Sequence, residues 1–141
     1  MTTSLIYLVD DATDYRFLVQ HLFKHHLPAY LLSAFADGNS FLKALAQLSP
    51  LELPSLILLD RHMPHLDGHQ ILRRLKEQPS YKKIPVVMMS ADASGEEING
   101  CYETGVNSFL RKSMDFESMK NQMTIVCQYW LEVNLKPVDM V

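Results

Sequence analysis

Residues 55–70 read SLILLDRHMPHLDGHQ. Leu56 to Leu59 form an unbroken aliphatic run, the pattern of a strand buried on both faces of a parallel sheet. The run stops at Asp60, and a carboxylate at the end of a buried strand is costly unless donors or a cation meet it. Met63-Pro64 and Asp67-Gly68 follow, turn residues that lead into a helix. Because Asp is itself a common turn residue, Asp60 either caps a turn or waits for a cation.

The same alternation of short apolar runs and helical periodicity extends to both sides. Upstream, residues 5–9 (LIYLV) read as a buried strand, and residues 15–26 place Phe17, Leu18, Leu22 and Phe23 at helical spacing. Residues 30–35 are the next strand candidate, Asp37-Gly38 a turn, and residues 39–48 a helix; Pro50 and Pro54 bracket the loop into strand 55–59. Downstream, residues 68–78 carry Ile71, Leu72 and Leu75 on one helical face, and Pro79 stops that helix. Pro85 opens a fourth run, Val86 to Met89, which ends in Ser90. A weaker helix spans 94–104 with Gly105 as its terminator, residues 106–110 are a fifth strand, and Asp115 caps a last helix running to about 135. Five strands alternating with five helices imply right-handed crossovers and an α/β fold, a parallel sheet covered on both faces.

Bulk composition narrows the function. A chain of 141 residues, 48% apolar and 21% charged, suits one globular domain with a single core. A net charge of −3 without a basic run gives no footprint for nucleic acid. Cys101 and Cys127 make neither a disulfide framework nor a zinc site and are expected to be buried thiols. No apolar run approaches membrane-spanning length and no leader pattern opens the chain, so a cytoplasmic protein is expected.

Ligands of an open parallel sheet bind outside the carboxyl ends of its strands. There the sequence places Asp10-Asp11, Asp60, Ser90 and Lys112, at the ends of strands one, three, four and five. Three carboxylates converging without a counter-ion repel one another, and a hard divalent cation such as Mg²⁺ relieves that. A carboxylate can act as a nucleophile and form an acyl phosphate once charge is neutralised, with a Lys as second positive charge and a hydroxyl on a phosphoryl oxygen. Neither GxxxxGK[ST] nor a post-strand GxGxxG occurs, which disfavours nucleotide binding in those manners.

With LVDD at 8–11, LILLDRHMPHLDG at 56–68, IPVVMMSA at 84–91 and GVNSFLRKS at 105–113, the sequence resembles the receiver domain of two-component response regulators. The resemblance covers residues 4–135, leaving 136–141 as a tail, and implies a flavodoxin-like sheet in the order 2-1-3-4-5. By position it makes Asp60 the phosphoacceptor. Asp10 and Asp11 become the Mg²⁺ pair, Asp11 binding directly and Asp10 through water, with the main-chain carbonyl of His62 completing the protein's share. Ser90 would hydrogen-bond the phosphoryl group, Lys112 would pair with it, and Phe109 would be the aromatic that turns inward when Ser90 moves. The family usually has Pro after the Lys, with a cis bond, where this chain has Ser113; a cis bond to a non-proline residue costs about 3–4 kcal/mol. Phe109 has no hydroxyl, so a switch there works by packing alone. GVNSFLRKS and the QYWLEVNLKP tail look like small single-domain regulators that partner phytochrome-type or other hybrid histidine kinases.

Three further features have bland and sharp readings. His62, His65 and His69 lack a regular ligand geometry and are expected to face solvent, although His62 borders the path of attacking water and would tune phosphoryl lifetime. Gly95 and Gly100 weaken helix 94–104, since a mid-helix Gly costs about 1 kcal/mol, leaving either a poor surface helix or an element that shifts with phosphorylation. Phe116, Met119, Met123, Val126, Cys127 and Trp130 have core spacing on the last helix; Ile125, Tyr129 and Val133 are surplus and favour a homodimer or a partner surface.

The expectation is therefore a receiver that takes a phosphoryl group from a sensor or hybrid kinase onto Asp60. It assists its own phosphorylation and dephosphorylation without being an enzyme otherwise, and signals to a downstream protein or a phosphotransfer protein. A phosphatase-type hydrolase would need an acid two residues after Asp60, where His62 stands. A phosphorylation-independent receiver-like binding module is the remaining alternative.

Overall fold

In the computed structural model, which describes residues 4–138, the apolar runs become five strands. They are β1 (Ser4–Val9), β2 (Tyr30–Phe35), β3 (Leu56–Asp60), β4 (Val86–Ser90) and β5 (Ser108–Arg111). All pair in parallel, in the order β2-β1-β3-β4-β5. The helices between them are α1 (Thr13–His26), α2 (Gly38–Ala46), α3 (Gly68–Glu77), α4 (Gly95–Thr104) and α5 (Phe116–Cys127). The winding reverses between β1 and β3, so their carboxyl ends open onto the crevice where such sheets bind ligands.

Strand alternation divides the core in two. Tyr7, Val9, Ile57, Leu59, Val86 and Met88 face α2, α3 and α4, meeting Phe41, Leu45, Ile71, Leu72, Leu75 and Cys101. Ile6, Leu8, Leu56, Leu58, Val87 and Met89 face the other way, onto Val19, Leu22 and Phe23 of α1 and Met119, Met123 and Val126 of α5. Each fully buried aliphatic side chain contributes roughly 1.5–3 kcal/mol, which is why β3 and β4 tolerate no polar residue before their last position.

Capping explains the helix starts. Asp37, Asp67, Ser94 and Asp115 each accept a hydrogen bond from the backbone N–H three residues on. Gly105, at φ 112°, ends α4 in the left-handed conformation that glycine adopts without cost. Gly68 answers to a different constraint: a Cβ there would lie 2.2 Å from the Asp60 carbonyl oxygen. Only a residue without a side chain lets α3 begin directly on the Asp60 peptide.

Most elements shift by one or two residues from the sequence expectation, and two differ in kind. The fifth strand begins at Ser108 rather than 106, because the Val106 N–H is still bonded to the Cys101 carbonyl in the α4 cap. The last helix is regular only to Cys127; Gln128–Val133 widens into a π-helical segment, with Asn134 N–H donating to the Tyr129 carbonyl five residues back. There Trp130 and Leu131 pack against the α1 side of the core and Glu132 accepts the Tyr30 hydroxyl at 2.8 Å. Gly95 opens α4 rather than interrupting it, so only Gly100 is a mid-helix glycine. Cys101 and Cys127 are buried and free. No described helix is long and apolar enough to cross a membrane. Of the 136–141 tail, residues 139–141 lie outside the described residues.

Candidate functional site

The only buried polar side chains among the described residues are Asp10 (0% exposed), Asp60 (4%) and Ser90 (1%), all at the carboxyl edge of the sheet. Backbone pairing sets their positions. Asp10 N–H donates to the Phe35 carbonyl of β2, Arg61 N–H to Met89, and Lys112 N–H to Ser90, so each strand end is fixed by its neighbour. Asp10, exposed Asp11 and Asp60 offer carboxylate oxygens that lie within 4.8 Å of one another. They are the one cluster of three or more His, Cys, Asp or Glu ligand atoms at that spacing among the described residues.

Lys112 crosses this cluster. Its Nζ lies 2.6 Å from Asp10 Oδ2 and 3.3 Å from Asp60 Oδ1, and 4.4 Å from the centre of the buried Tyr15 ring. The Lys112–Ser113 bond is trans, as is every described peptide bond, and Lys112 reaches both carboxylates all the same. Asp10 Oδ1 accepts the Ala12 N–H at 2.9 Å, whereas Oδ2, although buried, meets Lys112 as an ion pair only and accepts no hydrogen bond of ordinary geometry. Arg16 donates to the Asp10 carbonyl at 2.8 Å, holding the β1–α1 turn.

The electrostatics follow from burial. Asp60 is pushed up to about 7, first by desolvation and then by the Asp10 charge; Lys112 pulls the other way without cancelling them. The Tyr15 phenol is raised well above its usual value by burial and by the same two carboxylates, so it stays a neutral donor, toward Met89 Sδ at 3.6 Å. The cluster is thus short of positive charge, with one buried carboxylate oxygen lacking a hydrogen bond. Oxygen donors in that state suit a hard divalent cation that keeps several waters.

Ser90 lies one strand away from Asp60 and Phe109 two strands away. Ser90 Oγ accepts the Asp92 N–H at 3.2 Å and lies 3.2 Å from His62 Nδ1. Phe109, opposite Met88 on β5, is half-buried and packs on the core face shared with α4. His62 and His65 face solvent as the sequence led one to expect, whereas His69 is half-buried. His62 is on the surface, but its Nε2 lies 2.6 Å from Glu97 Oε2, and His69 Nε2 lies 2.7 Å from Thr104 Oγ1, bonding α3 to α4. His65 is exposed and sits at φ 67°, in the left-handed region, at the turn after Pro64. Desolvation, then Arg73 and Arg61, push the His69 imidazole down, keeping it neutral at physiological pH.

Sequence reasoning missed Tyr15, Arg16, Arg61 and Glu97. Tyr15 and Arg16 scored only as helix residues. Glu97 carried one signal, the S-x-x-E capping pattern of Ser94 to Glu97, which explains its role in α4 but not its contact with His62. Glu97 is held down to about 2 by the Ser94 backbone N–H and then by His62.

Comparisons with known proteins point one way. A family model for the response regulator receiver domain matches residues 6–124. The chain is 31% identical over 136 residues to response regulator Rcp1 of Synechocystis sp., covering 94% of this chain and 92% of that protein. It is 30% identical over 135 residues to the probable methanogenesis regulatory protein FilR2 of Methanothrix harundinacea, covering 94% and 87%. Among solved structures, the phosphorylated cyanobacterial phytochrome response regulator RcpA superposes with a TM-score of 0.87 at 26% identity, covering 97% of this chain and all of that one. The Mn²⁺-bound form of Rcp1 does so with 0.81 at 30% identity, covering 96% and 99%.

Proposed function

Because this chain belongs to the response regulator receiver family, we propose that it takes a phosphoryl group onto Asp60 from the phosphohistidine of a sensor or hybrid histidine kinase. The observation that carries this reading is the Asp10–Asp11–Asp60 cluster with Lys112 in contact with two of its members. In the transfer, an Asp60 oxygen forms a bond to phosphorus, the phosphorus–nitrogen bond breaks, and the imidazole leaves with the electron pair. The product is an acyl phosphate, and its stability against water decides how long the signal lasts.

Asp11 would hold Mg²⁺ directly, Asp10 through water, and Asp60 together with the His62 main-chain carbonyl would complete the protein's ligands. When bound, the ion neutralises the cluster and the incoming phosphoryl oxygens. The chain's own groups do the rest. The β1–α1 turn, held by Ala12 N–H and Arg16, fixes Asp10; Tyr15 gives Lys112 a neutral floor; Lys112 is placed to pair with a phosphoryl oxygen; and Ser90 can donate to another. Phe109 would follow Ser90 inward, by packing alone. Beyond assisting its own phosphorylation and dephosphorylation, the protein is read as a signalling partner rather than an enzyme. The receiver unit is taken as 4–135, working in the cytoplasm and passing the signal through protein contact with a target, a phosphotransfer protein or a second copy. The whole-length likeness to RcpA and Rcp1 supports a kinase of the phytochrome type as donor.

The test uses beryllofluoride, a phosphoryl mimic that needs both the carboxylate and a divalent ion. With Mg²⁺ present, fluorine NMR should show a bound signal in the wild type and none in Asp60→Asn. A bound signal that survives in Asp60→Asn would place the acceptor elsewhere.

A further inference from the structure

His62 joins the site to α4 through two hydrogen bonds, one on each ring nitrogen. Nε2 lies 2.6 Å from Glu97 Oε2 and Nδ1 lies 3.2 Å from Ser90 Oγ. A carboxylate only accepts, so Nε2 must be the donor. In the neutral ring this leaves Nδ1 as an acceptor, and the Ser90 hydroxyl, which also has Asp92 Oδ1 at 3.5 Å, then gives its proton to His62 Nδ1 at the shorter 3.2 Å rather than to anything on Asp60. Ser90 Oγ also accepts the Asp92 N–H, so its one donor proton and one of its two lone pairs are taken.

Glu97 is itself held from three sides. Its Oε1 accepts the Ser94 N–H at 3.0 Å, its backbone N–H donates to Ser94 Oγ, and its Oε2 lies 3.6 Å from an Arg61 nitrogen as well as against His62. Arg61, largely buried, also reaches Asp67, the cap of α3, at 3.6 Å. The first turn of α4 is therefore tied to the residue that follows Asp60 and, through His62, to Ser90. Elsewhere α4 is held by Cys101, its one buried side chain, and by the His69–Thr104 contact in its last turn.

We infer that Glu97 is a positioning residue that, through His62, holds the Ser90 hydroxyl in its resting direction, so that phosphoryl capture at Asp60 must break the Ser90–His62 bond and loosen the first turn of α4. This rests on the reading of Asp60 as phosphoacceptor and adds the device that couples the site to a surface helix. A two-state element of this kind is biased by any group that ties it to one state.

The experiment compares full-length wild type, Glu97→Ala, His62→Ala, the double variant and Ser94→Ala. Phosphorylation by acetyl phosphate at saturating Mg²⁺ is followed by intact mass, and the His62 ring nitrogens by ¹⁵N NMR before any phosphoryl donor is added. Losing one hydrogen bond to a charged group should speed phosphorylation about tenfold or more in Glu97→Ala. His62→Ala should match it, and the double variant should be no faster than either. Ser94→Ala, which removes half of the capping box but not the contact with His62, should stay within about twofold of wild type, on the same principle that the bond to the charged group carries the effect. The resting His62 ring should carry its proton on Nε2 and lose that preference in Glu97→Ala only. An unchanged rate and ring spectrum in Glu97→Ala, or rate effects that multiply in the double variant, would overturn the coupling. A wild type that takes no phosphoryl group would instead contradict Asp60 as acceptor, and the ring spectrum would still decide whether Glu97 positions His62.

Discussion

Asp60 owes its character to three neighbours and to burial. Its carboxyl is raised to about 7 while its unfolded counterpart titrates near the ordinary carboxylate value, so between those limits the native state binds more protons than the unfolded one. Without metal, the contribution of Asp60 to stability is therefore fully present below the unfolded pKa and is lost as pH rises from about 4 to about 7, then levels off. Urea midpoints measured across that range in chelator should show the decline, and Asp60→Asn should flatten it. At pH 8 the same variant should raise the metal-free melting temperature by roughly 2–6 °C, because one of three mutually repelling carboxylates is gone. Mg²⁺ affinity should rise over the same window as binding expels the proton; an affinity independent of pH would contradict the raised Asp60. Lys112→Met should leave Asp10 and Asp60 without their counter-charge. Phosphorylation by acetyl phosphate is expected to fall by about a hundredfold, in line with losing a preorganised charge at the reacting group.

At the scale of elements, glycine positions are the sharpest handles. Gly68→Ala would put a Cβ 2.2 Å from the Asp60 carbonyl oxygen, so α3 or the end of β3 has to shift. The expected cost is about 2–3 kcal/mol in denaturant unfolding, with Mg²⁺ binding weakened as Asp60 moves. Gly105→Ala, forced to φ 112°, should cost about 1–2 kcal/mol, and hydrogen exchange should rise in the last turn of α4 before anywhere else. The sequence made the strands legible because Leu56–Asp60 and Val86–Ser90 are apolar up to their last residue, and the strand ends legible because they break that pattern. Asp67-Gly68 was readable as a turn, but the contact that forbids a side chain at 68 belongs to the folded α3. Likewise Val106 looked like strand because β-branched residues favour strands, yet its N–H was already committed to the α4 cap. The hydrogen bonds of His62 and His69 join residues 35 apart in the chain, and periodicity carries no information about such pairs.

For the whole molecule, the sheet brings four strand ends to one edge while the outer face of α5 and of the π-helical segment that continues it keeps apolar residues in water. Ile125 and Val133 are 65% and 67% exposed, beside half-exposed Tyr129. Ile125→Gln should therefore change stability by no more than about 0.5 kcal/mol, whereas Met123→Ala, two residues away but fully buried, should cost about 2–4 kcal/mol. Equal costs would mean that the exposed row is core after all. The edge with the carboxylates is where the molecule's chemistry lies, and one experiment addresses it most directly: the intact mass of the wild type and of Asp60→Asn after incubation with Mg²⁺ and acetyl phosphate. The expected result is a single added phosphoryl group on the wild type, absent without Mg²⁺ and absent from Asp60→Asn. No adduct on the wild type, or an equal adduct on Asp60→Asn, would contradict Asp60 as the phosphoacceptor.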